Sequence, residues 1–104
     1  YSNIKFDFGE NVLDSKKYFL GSMIGDFSKI AISTSLNTGT FIGIGSNIFN
    51  HNFSKKFVDS FTWGDNKKVD FDKFIETCKL VFKRRGCELH KSEKKLLKHL
   101  YQNI

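Results

Sequence analysis

YFLGSM-IGDFSK-IAISTS-LNTGTF-IGIGSN-IF, residues 18–49, repeats every six residues. The first position of each hexad is Tyr18, Ile24, Ile30, Leu36, Ile42 or Ile48, and the fifth is Ser22, Ser28, Thr34, Thr40 or Ser46. Gly25, Ala31, Asn37 and Gly43 hold the second position, so small or turn-tolerant residues recur where a tight corner would need them. A period of six matches neither the 3.6 of an α-helix nor a plain alternating strand, although first and fifth positions share a strand's parity. The pattern predicts one short strand per hexad followed by a corner. Three hexads make one triangular coil, and coils stack at about 4.8 Å. Residues a coil apart then lie one above another, which sets Ile24 over Ile42, Ile30 over Ile48 and Tyr18 over Leu36 in the interior. Ser28 over Ser46 and Ser22 over Thr40 are expected inside, near corners.

Before Tyr18 the frame decays, with Glu10 and Lys16 in fifth positions, and a loop or hairpin excursion is expected over about residues 9–17. After the repeats, Phe49, Phe53, Phe57, Phe61 and Trp63 alternate with polar residues, which suits a segment covering the open end of the coils. From Val69 the period becomes helical. Phe71, Phe74, Ile75, Cys78, Val81 and Phe82 form one stripe behind Asp70 as N-cap, and Gly86 supplies the stop, predicting a helix over 71–85. A second helix is expected over 91–101, with His90 as N-cap and Glu93 completing a capping box. The expected fold is mainly β: a single-stranded parallel β-helix over 1–49, an aromatic capping segment over 50–68 and a two-helix tail over 69–104.

At 104 residues and 12.0 kDa the chain holds one small domain, and a large two-domain enzyme is excluded. No apolar run approaches the roughly twenty residues of a membrane span. Cys78 and Cys87 form no CxxC or Cys/His cluster, so neither a metal site nor a disulfide framework is indicated, and a reducing cytoplasm fits best. The net charge of +6 is uneven: residues 1–64 carry six lysines and five carboxylates, residues 65–104 eleven Lys/Arg and six carboxylates. Nucleic acid, an acidic partner or a phosphate-rich ligand could answer that basic tail, but its lysines fall on polar helix faces, and solvated faces are the expected explanation. Nucleic acid is therefore not expected as a partner. The motifs GxxxxGK[ST], GxSxG and HExxH are missing, and GTFIGIG is no dinucleotide fingerprint because no helix follows it.

The IGD…K motif (Ile24, Gly25, Asp26, Lys29), LNTGT (Leu36 to Thr40), NIF (Asn47 to Phe49) and SFxWG (Ser60, Phe61, Trp63, Gly64), with Ser2 to Lys5 ahead of them, carry a resemblance over nearly the whole chain. The chain resembles the C-terminal end of bacterial sugar-nucleotide enzymes of the UDP-N-acetylglucosamine pyrophosphorylase / glucosamine-1-phosphate N-acetyltransferase type, in the branch often labelled glucose-1-phosphate thymidylyltransferase. The resemblance implies a left-handed β-helix, a homotrimer, and a parent transferase of sugar-nucleotide and cell-wall biosynthesis. It also implies part of a cleft for acetyl-CoA and a sugar phosphate. The chain lacks the prolines that the family favours in the covering segment and has Ser54, Lys55 and Asp59 there.

N-acetylation of an amino sugar needs a base, an oxyanion site and a groove for the acyl donor. Of His51, His90 and His99, the last two belong to the helical tail, which leaves His51 as the one candidate base. In the resembled family the base lies upstream of the matching stretch, so no catalytic residue is assigned and the piece is expected to be inactive alone. Asn3, Asn37 and Thr38 are the candidate ligand-binding residues; each also suits a turn or a stacked corner. No bound cofactor is expected. An architectural role, with the segment only oligomerising a nucleotidyltransferase, remains open, as does a small basic nucleic-acid-binding module.

Overall fold

Left-handed backbone recurs at Phe27, Ser33, Gly39 and Gly45, with φ of 63°, 67°, 75° and 68°. These are the fourth positions of successive hexads, so the chain does turn once per repeat. The turns sit two residues later than the small second-position residues suggested. Gly25 and Gly43 are small for a different reason. A Cβ on Gly25 would stand 2.8 Å from the Gly43 carbonyl carbon, and one on Gly43 would stand 2.7 Å from Ser60 Cα. They let one rung of backbone settle onto the next.

The computed structural model describes residues 2–8, 11–49 and 54–104. They fall into two compact units, Tyr1–Lys67 and Lys68–Ile104. The first unit opens with β1 (Lys5–Asp7) and β2 (Val12–Asp14), an antiparallel hairpin pairing Phe6 with Leu13. Then come β3 (Met23–Ile24), β4 (Lys29–Ile30), β5 (Phe41–Ile42), β6 (Asn47–Ile48), β7 (Phe57–Val58), β8 (Thr62–Trp63) and β9 (Lys67–Lys68). They build two small sheets, ordered β3-β5-β7 and β4-β6-β8-β9. Ile24 pairs in parallel with Ile42, and Ile30 with Ile48, so residues eighteen apart are in register.

The single-stranded left-handed parallel β-helix is not formed among the described residues. Its closure needs three walls, and only two ladders of two-residue strands exist; residues 31–40 contribute no strand. The eighteen-residue step also stops after one repetition. Phe41 pairs with Phe57, Ile42 with Val58 and Asn47 with Trp63, each sixteen apart. The aromatic segment thus extends both ladders as further strands where a separate cap was expected. Nor is the expected interior column continuous: Ile42 is fully buried, but Ile24 on edge strand β3 is 48 % exposed and Tyr18 is also exposed. With a neighbour on one side only, an edge rung cannot enclose its own apolar side chains. The core of these sheets is Ile42, Ile48 and Val58, with Ile30 and Leu36 packed against it.

The hydroxyl column has a definite task. Ser28 Oγ donates to the Gly43 carbonyl (2.6 Å) and accepts from the Ser46 N–H (3.2 Å). Ser46 Oγ repeats the arrangement one rung on, donating to the Asp59 carbonyl (2.6 Å) and accepting from the Thr62 N–H (3.3 Å). These two hydroxyls are therefore cross-rung bridges, whereas Thr34 and Thr40 donate to carbonyls three residues back in their own rung; Thr40 and Ser46 are wholly buried without an unsatisfied side-chain polar atom.

In the second unit, α1 (Phe71–Arg84) starts at Asp70, whose carboxylate accepts from the Asp72 and Lys73 N–H groups. It ends in a Schellman turn, with the Gly86 N–H on the Lys83 carbonyl, the Cys87 N–H on the Phe82 carbonyl and Gly86 at φ 68°. Helix α2 (Lys91–Gln102) starts at His90, whose N–H donates to the Glu93 carboxylate (3.2 Å). Phe74, Ile75, Cys78 and Leu97 are buried. Phe71 and Tyr101 pack ring to ring, and the Tyr101 hydroxyl donates to the Val69 carbonyl (2.6 Å). No disulfide joins Cys78 and Cys87. Among the described residues no helix is long and apolar enough to cross a membrane.

Candidate functional site

A groove of about 660 Å³ in the first unit is lined by Ser2, Asn3, Ile4, Lys5, Asp14, Tyr18, Thr38 and Lys56. Three separate stretches meet there. The hairpin brings residues 2–5 beside Asp14 and Tyr18: the Ile4 N–H donates to the Lys17 carbonyl (2.7 Å), and the Ile4 carbonyl accepts from both the N–H and the hydroxyl of Ser15. The hexad turn at Thr38–Gly39 closes on this strand. Gly39 has φ 75°, and a Cβ there would lie 2.8 Å from Ile4 Cγ2 and 2.9 Å from the Lys5 carbonyl oxygen. No side chain fits at this contact, so glycine is what lets Thr38 reach the groove. Lys56 arrives from the segment before β7, and its Nζ donates to the Lys5 carbonyl (3.3 Å).

The groove's charges are two ammonium groups, Lys5 and Lys56, against one carboxylate, Asp14. Asp14 is held below the usual aspartate range, first by the Lys16 backbone N–H (2.8 Å), with the Asn3 side chain and the charges of Lys5 and Lys16 acting in the same direction and desolvation against them. It stays ionised and committed to its own turn. Around the cations stand an amide, two aliphatic hydroxyls and a phenol, from Asn3, Ser2, Thr38 and Tyr18. This set can neutralise an anionic ester and hydrogen-bond a polyhydroxylated body. It contains no histidine, and among the described residues no group of His, Cys, Asp and Glu could hold a metal ion.

Asn3 and Thr38, two of the three residues singled out from sequence, line this groove together. Asn37 does not line it. Its carbonyl instead accepts from Thr40 Oγ1 (2.7 Å) and Ser22 Oγ (3.4 Å), and its backbone does not adopt the left-handed corner, which falls at Gly39. His51 lies outside the described residues. His90 heads α2, and the His99 carbonyl accepts from the Asn103 side chain (2.7 Å), so both stay in the helical unit. Lys5, Asp14, Tyr18 and Lys56 were not legible as site residues. Lys5 closes the Ser2–Lys5 string without standing out in it as a site residue, and Lys56, 51 residues on, is marked by no local motif. No protein-family model, curated protein or solved structure matches this chain.

Proposed function

We propose that the chain is the C-terminal part of a bacterial, cytoplasmic sugar-nucleotide biosynthesis enzyme, and that its groove binds the phosphorylated sugar. The observation that carries this reading is the convergence of Lys5 and Lys56 with Asn3, Ser2, Thr38 and Tyr18. Two cations suit a phosphate, the amide and hydroxyls suit sugar hydroxyls, and the volume lies in the range of small-ligand sites. The motif resemblance around Ser2–Lys5 and Leu36–Thr40 supports the same assignment. Among the described residues the groove presents no histidine, and its carboxylate, Asp14, is engaged by the Lys16 N–H, so its residues bind and orient; acyl transfer from acetyl-CoA would require a base from elsewhere in the parent protein. Calorimetric titration with a hexosamine 1-phosphate, the free hexosamine and acetyl-CoA tests the reading. The phosphate should bind, the free sugar about ten-fold more weakly or less well still, and Lys56→Gln should abolish the difference. Equal binding of both sugars, or of neither, overturns it.

A purely architectural role in a homotrimeric parent enzyme is supported by a different observation, the exposed apolar residues Met23 and Ile24 on edge strand β3. A trimer by light scattering that ignores all three ligands, and that dissociates on Ile24→Lys, would favour that role.

A further inference from the structure

The two helices of the second unit carry their charge differently. On α1, Glu76 lies three residues from both Lys73 and Lys79, so opposite charges interleave over its first turns, and Lys83 and Arg84 stand in its last turn, where the helix dipole favours cations. On α2, Lys91, Lys94, Lys95 and Lys98 are all exposed and make four pairs at i,i+3 or i,i+4 spacing. Like charges at those spacings repel. The helix's only carboxylate, Glu93, is at its N-terminal turn and accepts from the His90 N–H. Solvated faces account for α1; α2 holds an uncompensated cationic stripe that an anionic partner would relieve.

We propose that the lysine face of α2 docks non-specifically on the phosphate backbone of double-stranded nucleic acid. From Lys91 to Lys98 the stripe spans about 10 Å, roughly three nucleotide steps at about 3.4 Å each along one strand. Of the rings on α2, Tyr101 is half-buried, bonded through its hydroxyl to Val69, with Lys68 Nζ 4.0 Å from its ring centre, and the exposed His99 ring has its Nδ1 3.4 Å from the Asn103 side-chain nitrogen. This favours a duplex over a single strand. Leu97 is buried and Leu100 half-buried, leaving Leu96 as the only exposed leucine of α2, so the apolar face needed to enter a bilayer is already in use. This proposal stands apart from the groove and does not depend on its ligand.

Fluorescence anisotropy of the full chain with a labelled 20-base-pair mixed-sequence duplex tests it. Binding should be in the range of about 1–100 μM near physiological salt, with log K falling against log[salt] at a slope of about −3 to −4. K91Q/K95Q/K98Q should weaken binding by about ten-fold or more and reduce the slope by about 2.7, whereas K91R/K95R/K98R should retain it. K73Q/K79Q/K83Q removes the same charge from α1 and should leave binding nearly unchanged. The proposal is overturned if both glutamine triples weaken binding equally, if the duplex fails to bind at about 50 mM salt, or if phosphatidylserine vesicles or an acidic peptide bind more tightly than the duplex. Circular dichroism at 222 nm should match across the variants; if the α2 glutamine triple alone loses helix, Lys95→Gln must then show a proportionate loss of slope, and an unchanged slope overturns the proposal.

Discussion

The unit of residues 1–67 and the unit of residues 68–104 are held together by opposite means. In the first, the parallel ladders join residues sixteen or eighteen apart, strands are two or three residues long, and serine hydroxyls bridge the rungs. In the second, two helices of 14 and 12 residues make their own hydrogen bonds locally and use an Asp70 cap and a Gly86 stop. Stability in the stacked unit therefore depends on whether a residue has a rung on each side. In the helical unit it depends on which way a residue faces.

That contrast can be broken most sharply at two isoleucines in register. Ile42→Ala should cost about 3–4 kcal/mol, and Ile24→Ala, on the exposed edge strand, about 1 kcal/mol. Urea unfolding followed by fluorescence of Trp63, the single tryptophan, measures both; equal losses would mean that the edge rung is as enclosed as the one beside it. Next in size is Gly43→Ala, whose new Cβ would meet Ser60 Cα at 2.7 Å and so push two rungs apart, at about 2–3 kcal/mol. The same substitution at Gly86 meets nothing within 4 Å but imposes φ 68° on an alanine, and should cost only about 1 kcal/mol. The helical signal at 222 nm reports that loss. A clash and a backbone preference are thereby separated.

The smallest effect is at Asp14. Because its folded pKa is depressed, its stabilising contribution is present above the ordinary aspartate value of 3.8 and is lost as pH falls through the lower folded value. The Lys16 amide resonance should shift with a midpoint below 3.8, and Asp14→Asn should remove that titration.

The SFxWG motif shows how much a local string can and cannot say. As letters it marks only an aromatic turn. In place, Ser60 Oγ accepts from the Ile44 N–H (3.0 Å), and Phe61 is fully buried at φ 57°. Trp63 packs edge-on against Phe49 (5.2 Å), and Gly64 leaves room for the Phe49 ring, 2.9 Å from where a Cβ would stand. Both helices were legible because their caps and apolar stripes are local features. In the groove, Asn3 and Thr38 stood out through motif strings, but Lys56 did not: its position beside Lys5 depends on β7 pairing with β5.

By itself, the order of residues determined that the backbone turns every six positions, that Ile24 and Ile30 come into register with Ile42 and Ile48 eighteen residues on, and that two amphipathic helices follow. Each of these is a matter of steric preference or polarity repeated at a fixed spacing. Only the tertiary structure decided that, among the described residues, two parallel ladders form without strands for a third wall, that the aromatic segment joins them as strands, and that Lys5 and Lys56 meet. Those outcomes turn on whether distant segments can bury enough surface against one another, and no short-range pattern encodes that balance.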